Sequence, residues 1–297
     1  MTSDTALLED AIGTISNRRR IQTGVLFIDI AGVVNFDLKR KAAKLFQQAL
    51  DEHDLRTHFR DISIEISEKH LRFYHWPSTN VGDLVTPYLL DKTGVPGSLS
   101  QSISEADINK IESTDEGWWS RLFRTKRSTM KRAKYIVSTG SVVRLCGDHA
   151  LVFGSGVRSV DQDTCDAIIR FVRGPLTRER FLANGTVCPP IYGDPGLLLP
   201  RFYSPTIELT DQLAVIPHFT EYSDIFDIYK DEPRVKVVDM GSGNLEQCID
   251  EIVSCRASVS SSLHGLVFSH AYGVPTRHVI LSDKVFGDGT KYRDHYR

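Results

Sequence analysis

Along most of the chain a short apolar run gives way to a tight polar turn, and the turn to a segment whose apolar positions recur at helical spacing. Leu71-Arg-Phe-Tyr-His-Trp76 reads as a strand; "PSTNVGD" follows as a turn, then Leu84 to Lys92 as a helix ending before Gly94. Ala167 to Val172 repeats the pattern. It leads into "RGPLTRERF", where Pro175 suits the first helical position and Gly185 the stop. Ala257 to Ser261 repeats it again, leading into "LHGLVFSHAYG" with Gly273 as the C-terminal stop. Gln212 to Ile216 and Val235 to Met240 read as two more strands. Leu245, Cys248, Ile249, Ile252 and Val253 fall on one helical face, with Asn244 and Gln247 spaced for a capping box. Nearer the N-terminus, residues 5–16 and 37–52 have helical spacing, with Thr23 to Ile30 between them as a buried strand.

Strands alternating with helices of this length predict an α/β protein with parallel sheets covered on both faces. A length of 297 residues suits two domains. Gly193 to Asp211 interrupts the rhythm with three prolines and is the expected linker. The predicted division is an N-terminal extension over residues 1–66, one α/β domain over 67–200, and a second over 205–297.

Composition narrows the setting. Hydrophobic residues make up 41% and charged residues 25%, as in a water-soluble globular protein. The longest apolar stretch, Ile21 to Val34, is too short to span a bilayer and carries Asp29. The first residues lack the basic start and apolar block of a signal peptide, so a cytoplasmic location is expected. Five cysteines, an odd number without zinc-ligand spacing, read as reduced thiols, and no metal is expected. A net charge of -2 argues against nucleic acid as a partner. Positive charge is concentrated in Trp118 to Lys134, where two tryptophans precede seven Lys/Arg. This segment suits either a peripheral contact with anionic lipid at the inner face of a membrane or a solvated basic surface.

The turns carry the candidate chemistry. In open parallel sheets, ligands bind beyond the carboxyl ends of the strands, where helix N-termini attract anions. Asn80, Gly82 and Asp83, then Arg173, His218 and His264, all fall at such places. His264 follows three serines and precedes Gly265 at the start of an apolar helix. Such a histidine serves elsewhere as a structural residue. A helix N-terminus disfavours its imidazolium, however, so an anionic ligand would raise its pKa and turn it into an acid. Arg173 offers a planar fork suited to carboxylate or phosphate. Asp83 can accept a proton or cap the next helix.

Taken in order, "NVGD", "VFGSGV", "RFVRGPLTRERF", "YGDPGLLLP", "IPH", "SCRASVSSSLHGLVFSHAYGVP" and "DGTKYRDHY" resemble the polysaccharide pyruvyltransferase family, most closely its bacterial exopolysaccharide branch. The resemblance covers residues 70–297 and implies two Rossmann-like halves facing a cleft, similar to GT-B glycosyltransferases. It implies phosphoenolpyruvate as donor substrate and the sugar of an exopolysaccharide, or of its lipid-linked repeat unit, as acceptor. The products would be a cyclic pyruvate ketal and phosphate, with no cofactor. The family's donor-binding arginine-leucine-histidine run falls on Ser262, Leu263 and His264, so its arginine is missing. Its separate arginine corresponds to Arg173. Arg178, Arg201, Lys291 and Arg293 are the cations open to complete the anion clamp.

On this reading His264 is the acid and Arg173 holds the donor together with Ser262, Leu263, His218 and Lys291. Asn80, Gly82 and Asp83 hold the acceptor, and Asp83 or His218 takes the hydroxyl proton. A nucleotide-sugar glycosyltransferase and a noncatalytic carbohydrate-binding protein are the alternatives.

Overall fold

The structure is a computed structural model and describes residues 63–64, 71–93, 100–113 and 132–297. The elements expected at 5–16, 23–30 and 37–52, and residues 118–131 of the basic aromatic segment, lie outside the described residues. Of the N-terminal extension, Ser63–Ile64 forms a short strand β1.

The first sheet is built from β2 (Leu71–Tyr74), β3 (Ser100–Ser102), β5 (Tyr135–Val137), β6 (Ala150–Phe153) and β7 (Ile168–Phe171). All its pairings are parallel and its spatial order is β3-β2-β5-β6-β7. A separate two-stranded ladder joins β1 to β4 (Arg132–Ala133). The second sheet contains β8 (Leu213–Ile216), β9 (Val235–Val237), β10 (Ala257–Ser260) and β11 (Thr276–His278), again all parallel, in the order β11-β10-β8-β9. The fold is therefore α/β with parallel sheets, as the alternation predicted.

The helices are α1 (Val85–Lys92), α2 (Glu105–Ser113), α3 (Pro175–Ala183), α4 (Tyr222–Tyr229), α5 (Leu245–Val253), α6 (Leu263–Ala271) and α7 (Thr290–Tyr296). Local chemistry sets many of their ends. Pro175 opens α3, and Gly185 and Gly273 follow α3 and α6 at φ +79° and +74°, in the left-handed region that glycine tolerates. Asn244 caps α5 by accepting from the Gln247 N–H at 3.1 Å. The reciprocal half of the expected capping box is absent, since the Asn244 backbone N–H donates to Ser242 instead.

In the first sheet, Tyr135 and Val137 of β5 and Ala150 and Val152 of β6 face one apolar cluster, while Ile136, Leu151 and Phe153 face another. This is the period-two alternation of strands buried on both faces. The second cluster continues without a break into the other sheet through Ala214, Ile216, Leu266 and Phe268.

The proline-rich stretch 193–211 is not a loose tether. Its first half forms a 3-10 segment, Pro195–Arg201, with Pro195, Gly196, Leu198 and Leu199 buried. Gly196 sits so close to α6 that a Cβ there would come within 2.8 Å of Val267. The last helix, α7, reaches back to the first sheet: a Cβ on Gly174 would strike the carbonyl of Asp294. β9 stops at Val237, before the expected Met240, and the Met240 carbonyl accepts from the Val81 N–H at 2.8 Å in the loop after β2.

All five cysteines are free thiols; Cys146, Cys188, Cys248 and Cys255 are buried and Cys165 is half-buried. Among the described residues no helix is long and apolar enough to cross a membrane.

Candidate active site

Each sheet has one place where its strand order reverses, between β2 and β5 in the first and between β8 and β10 in the second. A crevice opens at the carboxyl ends of strands at such a point. The loop after β2, at the first reversal point, is tied to the second sheet by backbone hydrogen bonds to the loop after β9, Val81 N–H to the Met240 carbonyl and Gly243 N–H to the Thr79 carbonyl at 3.0 Å. His264, in the helix after β10 at the second reversal point, lies against Gly82 of this β2 loop.

His264 is in the first turn of α6 and is nearly buried, with 6% of its surface exposed. A Cβ on Gly82 would lie only 2.0 Å from its Nδ1, so the glycine of "NVGD" is what lets the first-sheet loop close over the imidazole. On the ring's other side, Nε2 stands 3.9 Å from Oδ2 of the buried Asp194. Burial pushes the His264 pKa down to about 4; Asp83 opposes the shift, and Arg173 and Lys291 add to it. The imidazole is therefore neutral at pH 7, the state expected at a helix N-terminus before an anion binds. Ser262 occupies the N-cap position, but its hydroxyl does not cap the helix.

Gly265 serves packing: a Cβ there would meet Ser260 Oγ at 2.3 Å and Ile216 at 2.7 Å, so the close approach it permits is of α6 onto β8 and β10.

The loop after β8 is pinned by a carboxylate. Glu221 is buried, and its Oε2 accepts from the Ser261 hydroxyl at 2.5 Å and from the His218 N–H at 3.2 Å. The His218 N–H also donates to Ser261 Oγ at 3.0 Å. Its imidazole Nδ1 is 2.8 Å from the Thr220 hydroxyl. Burial, assisted by Lys291, lowers the His218 pKa to about 4. From α7, Tyr292 donates to the Ser261 carbonyl at 2.6 Å. Lys291 beside it is nearly buried. Its own pKa falls to about 8 through burial and the nearby Arg173 and Arg158.

In the loop after β2, Asp83 accepts from Ser78 Oγ at 2.8 Å and from Asn80 Nδ2 at 3.0 Å. The Asn80 side chain in turn accepts from the Gly82 N–H at 3.3 Å. Asp83 does not cap α1, whose N-cap position is Leu84 without a side-chain bond. Its carboxylate stays on the loop that covers His264.

Arg173 is wholly enclosed. Its Nη1 donates to Ser141 Oγ at 2.9 Å, its Nη2 donates to the Val157 carbonyl at 2.5 Å, and its Nε lies 3.5 Å from Asp294 Oδ2. Gly156 makes room for it, since a Cβ there would come within 2.4 Å of the guanidinium carbon. Its fork thus points into protein groups, while its charge reaches His264 and Lys291. Of the other cations considered, Arg178 donates through Nε to the Cys188 carbonyl at 2.9 Å, and Arg293 donates to Thr290 Oγ1 at 2.9 Å and lies 3.9 Å from Asp288. Lys291 is the one whose charge acts on both His264 and His218.

Three acidic residues of this cluster carry no local sequence signal: Glu221, Asp194 and Asp294. Asp194 was quoted within "YGDPGLLLP", and Asp294 within "DGTKYRDHY", but nothing in either run says which basic residue it will meet. Among the described residues no group of three or more His, Cys, Asp or Glu side chains is placed to hold a metal ion.

Residues 118–283, more than half of the chain, match the family described as "Polysaccharide pyruvyl transferase". The chain belongs to this family. The match takes in β7, α3, the 3-10 segment, both loops of the second sheet and α6, and so His218, Arg173, Asp194 and His264. A polysaccharide pyruvyl transferase domain also accounts for the order of motifs in "RFVRGPLTRERF", "YGDPGLLLP" and "SSSLHGLVF". A relative, "Uncharacterized protein L143" of Acanthamoeba polyphaga mimivirus, is 31% identical over 108 residues. The alignment covers 35% of this chain and 38% of the relative. The chain thus spans less than half the length of that relative. No solved structure gave a significant match.

Proposed function

We propose that the protein transfers pyruvate from phosphoenolpyruvate to a vicinal or 1,3-related hydroxyl pair on a sugar, forming a cyclic ketal and releasing phosphate. The acceptor would be an exopolysaccharide or its lipid-linked repeat unit. Family membership supports polysaccharide pyruvylation in general. The observation that carries the finer reading is the position of His264: neutral, at an uncapped helix N-terminus, beside Lys291 and beneath the loop that bears Asp83. This is the chemistry a small dianionic donor requires. On this reading the two sheets are the halves of a GT-B-like arrangement, with the acceptor on the residue 67–200 side and the donor on the 205–297 side.

Donor anions bind at Lys291 and at the N–H groups after Ser262 and Leu263, with His218 at the rim. Arg173 adds positive potential from behind the site. The bound charge raises the His264 pKa, and the imidazolium gives a proton to the donor's methylene carbon, making it a methyl group and the enol carbon electrophilic. One sugar hydroxyl adds there, and Asp83 takes its proton; Asn80 and Gly82 hold the acceptor loop. The bond to phosphate then breaks, the second hydroxyl closes the ring, and its proton leaves with phosphate. The proton that His264 takes up on donor binding is returned to solvent from Asp83, so the cycle leaves the site with as many protons as it began with. No cofactor or metal enters the scheme.

The test is phosphate release from phosphoenolpyruvate, paired with a search by mass spectrometry for a pyruvyl gain on candidate oligosaccharides. His264→Ala should cut turnover about 100-fold or more while remaining folded. Turnover with labelled nucleotide sugars, and none with phosphoenolpyruvate, would favour a glycosyltransferase instead. Retention of most phosphate release by the folded His264→Ala protein would remove His264 from the mechanism.

A further inference from the structure

Two buried polar atoms near the first turn of α6 face one another unpaired: His264 Nε2 and Asp194 Oδ2 have no hydrogen-bond partner and lie 3.9 Å apart. Asp194 is fully enclosed, and its other oxygen is committed, accepting from the Gly196 N–H at 2.9 Å as the N-cap of the 3-10 segment. A buried carboxylate oxygen and a buried ring nitrogen without hydrogen bonds each leave a desolvation cost that a bond between them would offset. A displacement of about 1 Å would make the hydrogen bond, and such contacts are often long in an empty site and tighten when ligand binds.

We infer that Asp194 is a positioning residue for His264: one proton lies on the Nε2–Oδ2 axis, which fixes the ring and leaves Nδ1, the nitrogen turned toward Gly82 on the loop after β2, as the one that exchanges a proton with substrate. The inference rests on the reading of His264 as the proton donor. The arrangement parallels the buried carboxylate that orients a catalytic histidine and stabilises its imidazolium in hydrolase triads. The stiffness of the support comes from the fold. Asp194 is anchored by a cap to a segment packed against the same helix that carries His264, so carboxylate and imidazole ride on one rigid unit. The other charged or titratable groups acting on the imidazole are Asp83 from the loop after β2, Arg173 after β7, His218 after β8, and Lys291 and His295 of α7. None of these has a hydrogen bond to Nε2.

Asp194→Asn separates the carboxylate from the cap. The asparagine oxygen is still needed by the Gly196 N–H, so its amide hydrogens must face Nε2, which then has to accept, and the neutral ring carries its proton on Nδ1 instead. The expected result, by nitrogen-15 NMR with His264→Gln to assign the signal, is an Nε2-protonated ring in the natural protein and an Nδ1-protonated ring in Asp194→Asn. In phosphate-release assays, kcat should fall on the order of 10²- to 10⁴-fold, with KM for phosphoenolpyruvate changed less than threefold. Should the asparagine variant not fold, Asp194→Ser keeps a good capping group that cannot reach Nε2; the ring then loses its support and the same loss of kcat is expected. An Nδ1-protonated ring in the natural protein, an unaltered tautomer in folded Asp194→Asn, or an unaltered kcat in folded Asp194→Ser overturns the inference. A tautomer that reverses as described in a protein that never releases phosphate from phosphoenolpyruvate leaves the Asp194–His264 pair standing and defeats the proposed reaction alone.

Discussion

Two helices, α3 and α6, begin in the same way, just past a buried strand at the carboxyl edge of a parallel sheet, yet their N-termini are used differently. At α3 the end is filled from within. Asp294, arriving on α7, accepts from the Thr177 N–H at 3.0 Å and from the Thr177 hydroxyl at 2.5 Å, and it pairs with Arg173. The helix dipole, the guanidinium and the carboxylate compensate one another, and nothing charged is left over for a ligand. At α6 the N-cap hydroxyl of Ser262 does not cap, the adjacent imidazole is held neutral, and Lys291 stands nearby with a lowered pKa. The first arrangement is a closed joint between the two sheets. The second leaves its first backbone N–H groups without a side-chain cap, and the proposed reaction assigns that end to the donor anion. Equivalent positions in a repeated motif thus differ according to whether another part of the chain caps the helix end itself, as Asp294 does for α3 and no side chain does for α6.

The sharpest way to break this comparison is Asp294→Ala. It strips the cap from α3 and leaves the fully buried Arg173 without its carboxylate, which should cost about 3–5 kcal/mol of stability, read as a fall in the denaturant midpoint. A loss below about 1 kcal/mol would mean that the joint is not closed as described. Next comes pH. Lys291 loses its charge as pH rises through about 8, so affinity for phosphoenolpyruvate should weaken above that pH, and Lys291→Met should be weaker throughout and lack that dependence. Binding calorimetry at pH 7 and pH 9 reads both. The smallest effect is expected at the open helix end. Ser262→Ala removes a hydroxyl that caps nothing and should alter thermal stability by less than about 0.5 kcal/mol, whereas Asn244→Ala at the true cap of α5 should cost about 1 kcal/mol. Equal losses in the two variants would mean that Ser262 caps after all.

Much of the fold was legible because its signals are local. Pro175 fixes its own φ, Gly185 and Gly273 relieve left-handed turns, and Leu245, Cys248, Ile249 and Ile252 share a face by periodicity alone. β3, β5, β6 and β11 are absent from the sequence reading because "SQS", "YIV", "ALVF" and "TRH" are too short or too polar to announce a strand; they exist because a neighbouring ladder completes them. The prolines of 193–211 mark the expected linker, and within it "GLLLP" supplies enough apolar surface to fold the first half against α6. A count of turn residues overlooks that burial.

The same division runs through the site. The sequence by itself determined that the protein is α/β, that His264 opens a helix after a strand, and that Arg173 ends one; each follows from spacing within about ten residues, where backbone geometry dictates direction. Only the tertiary structure decided that Gly82 would lie against His264, that Asp194 would face its far nitrogen, and that Asp294 would take Arg173 and the end of α3. Those pairs are 182, 70 and 121 positions apart. The physical reason is that a charge carries no record of its partner: burial selects which opposite charge or hydrogen-bonding group must be brought to it, and burial is a property of the packed chain.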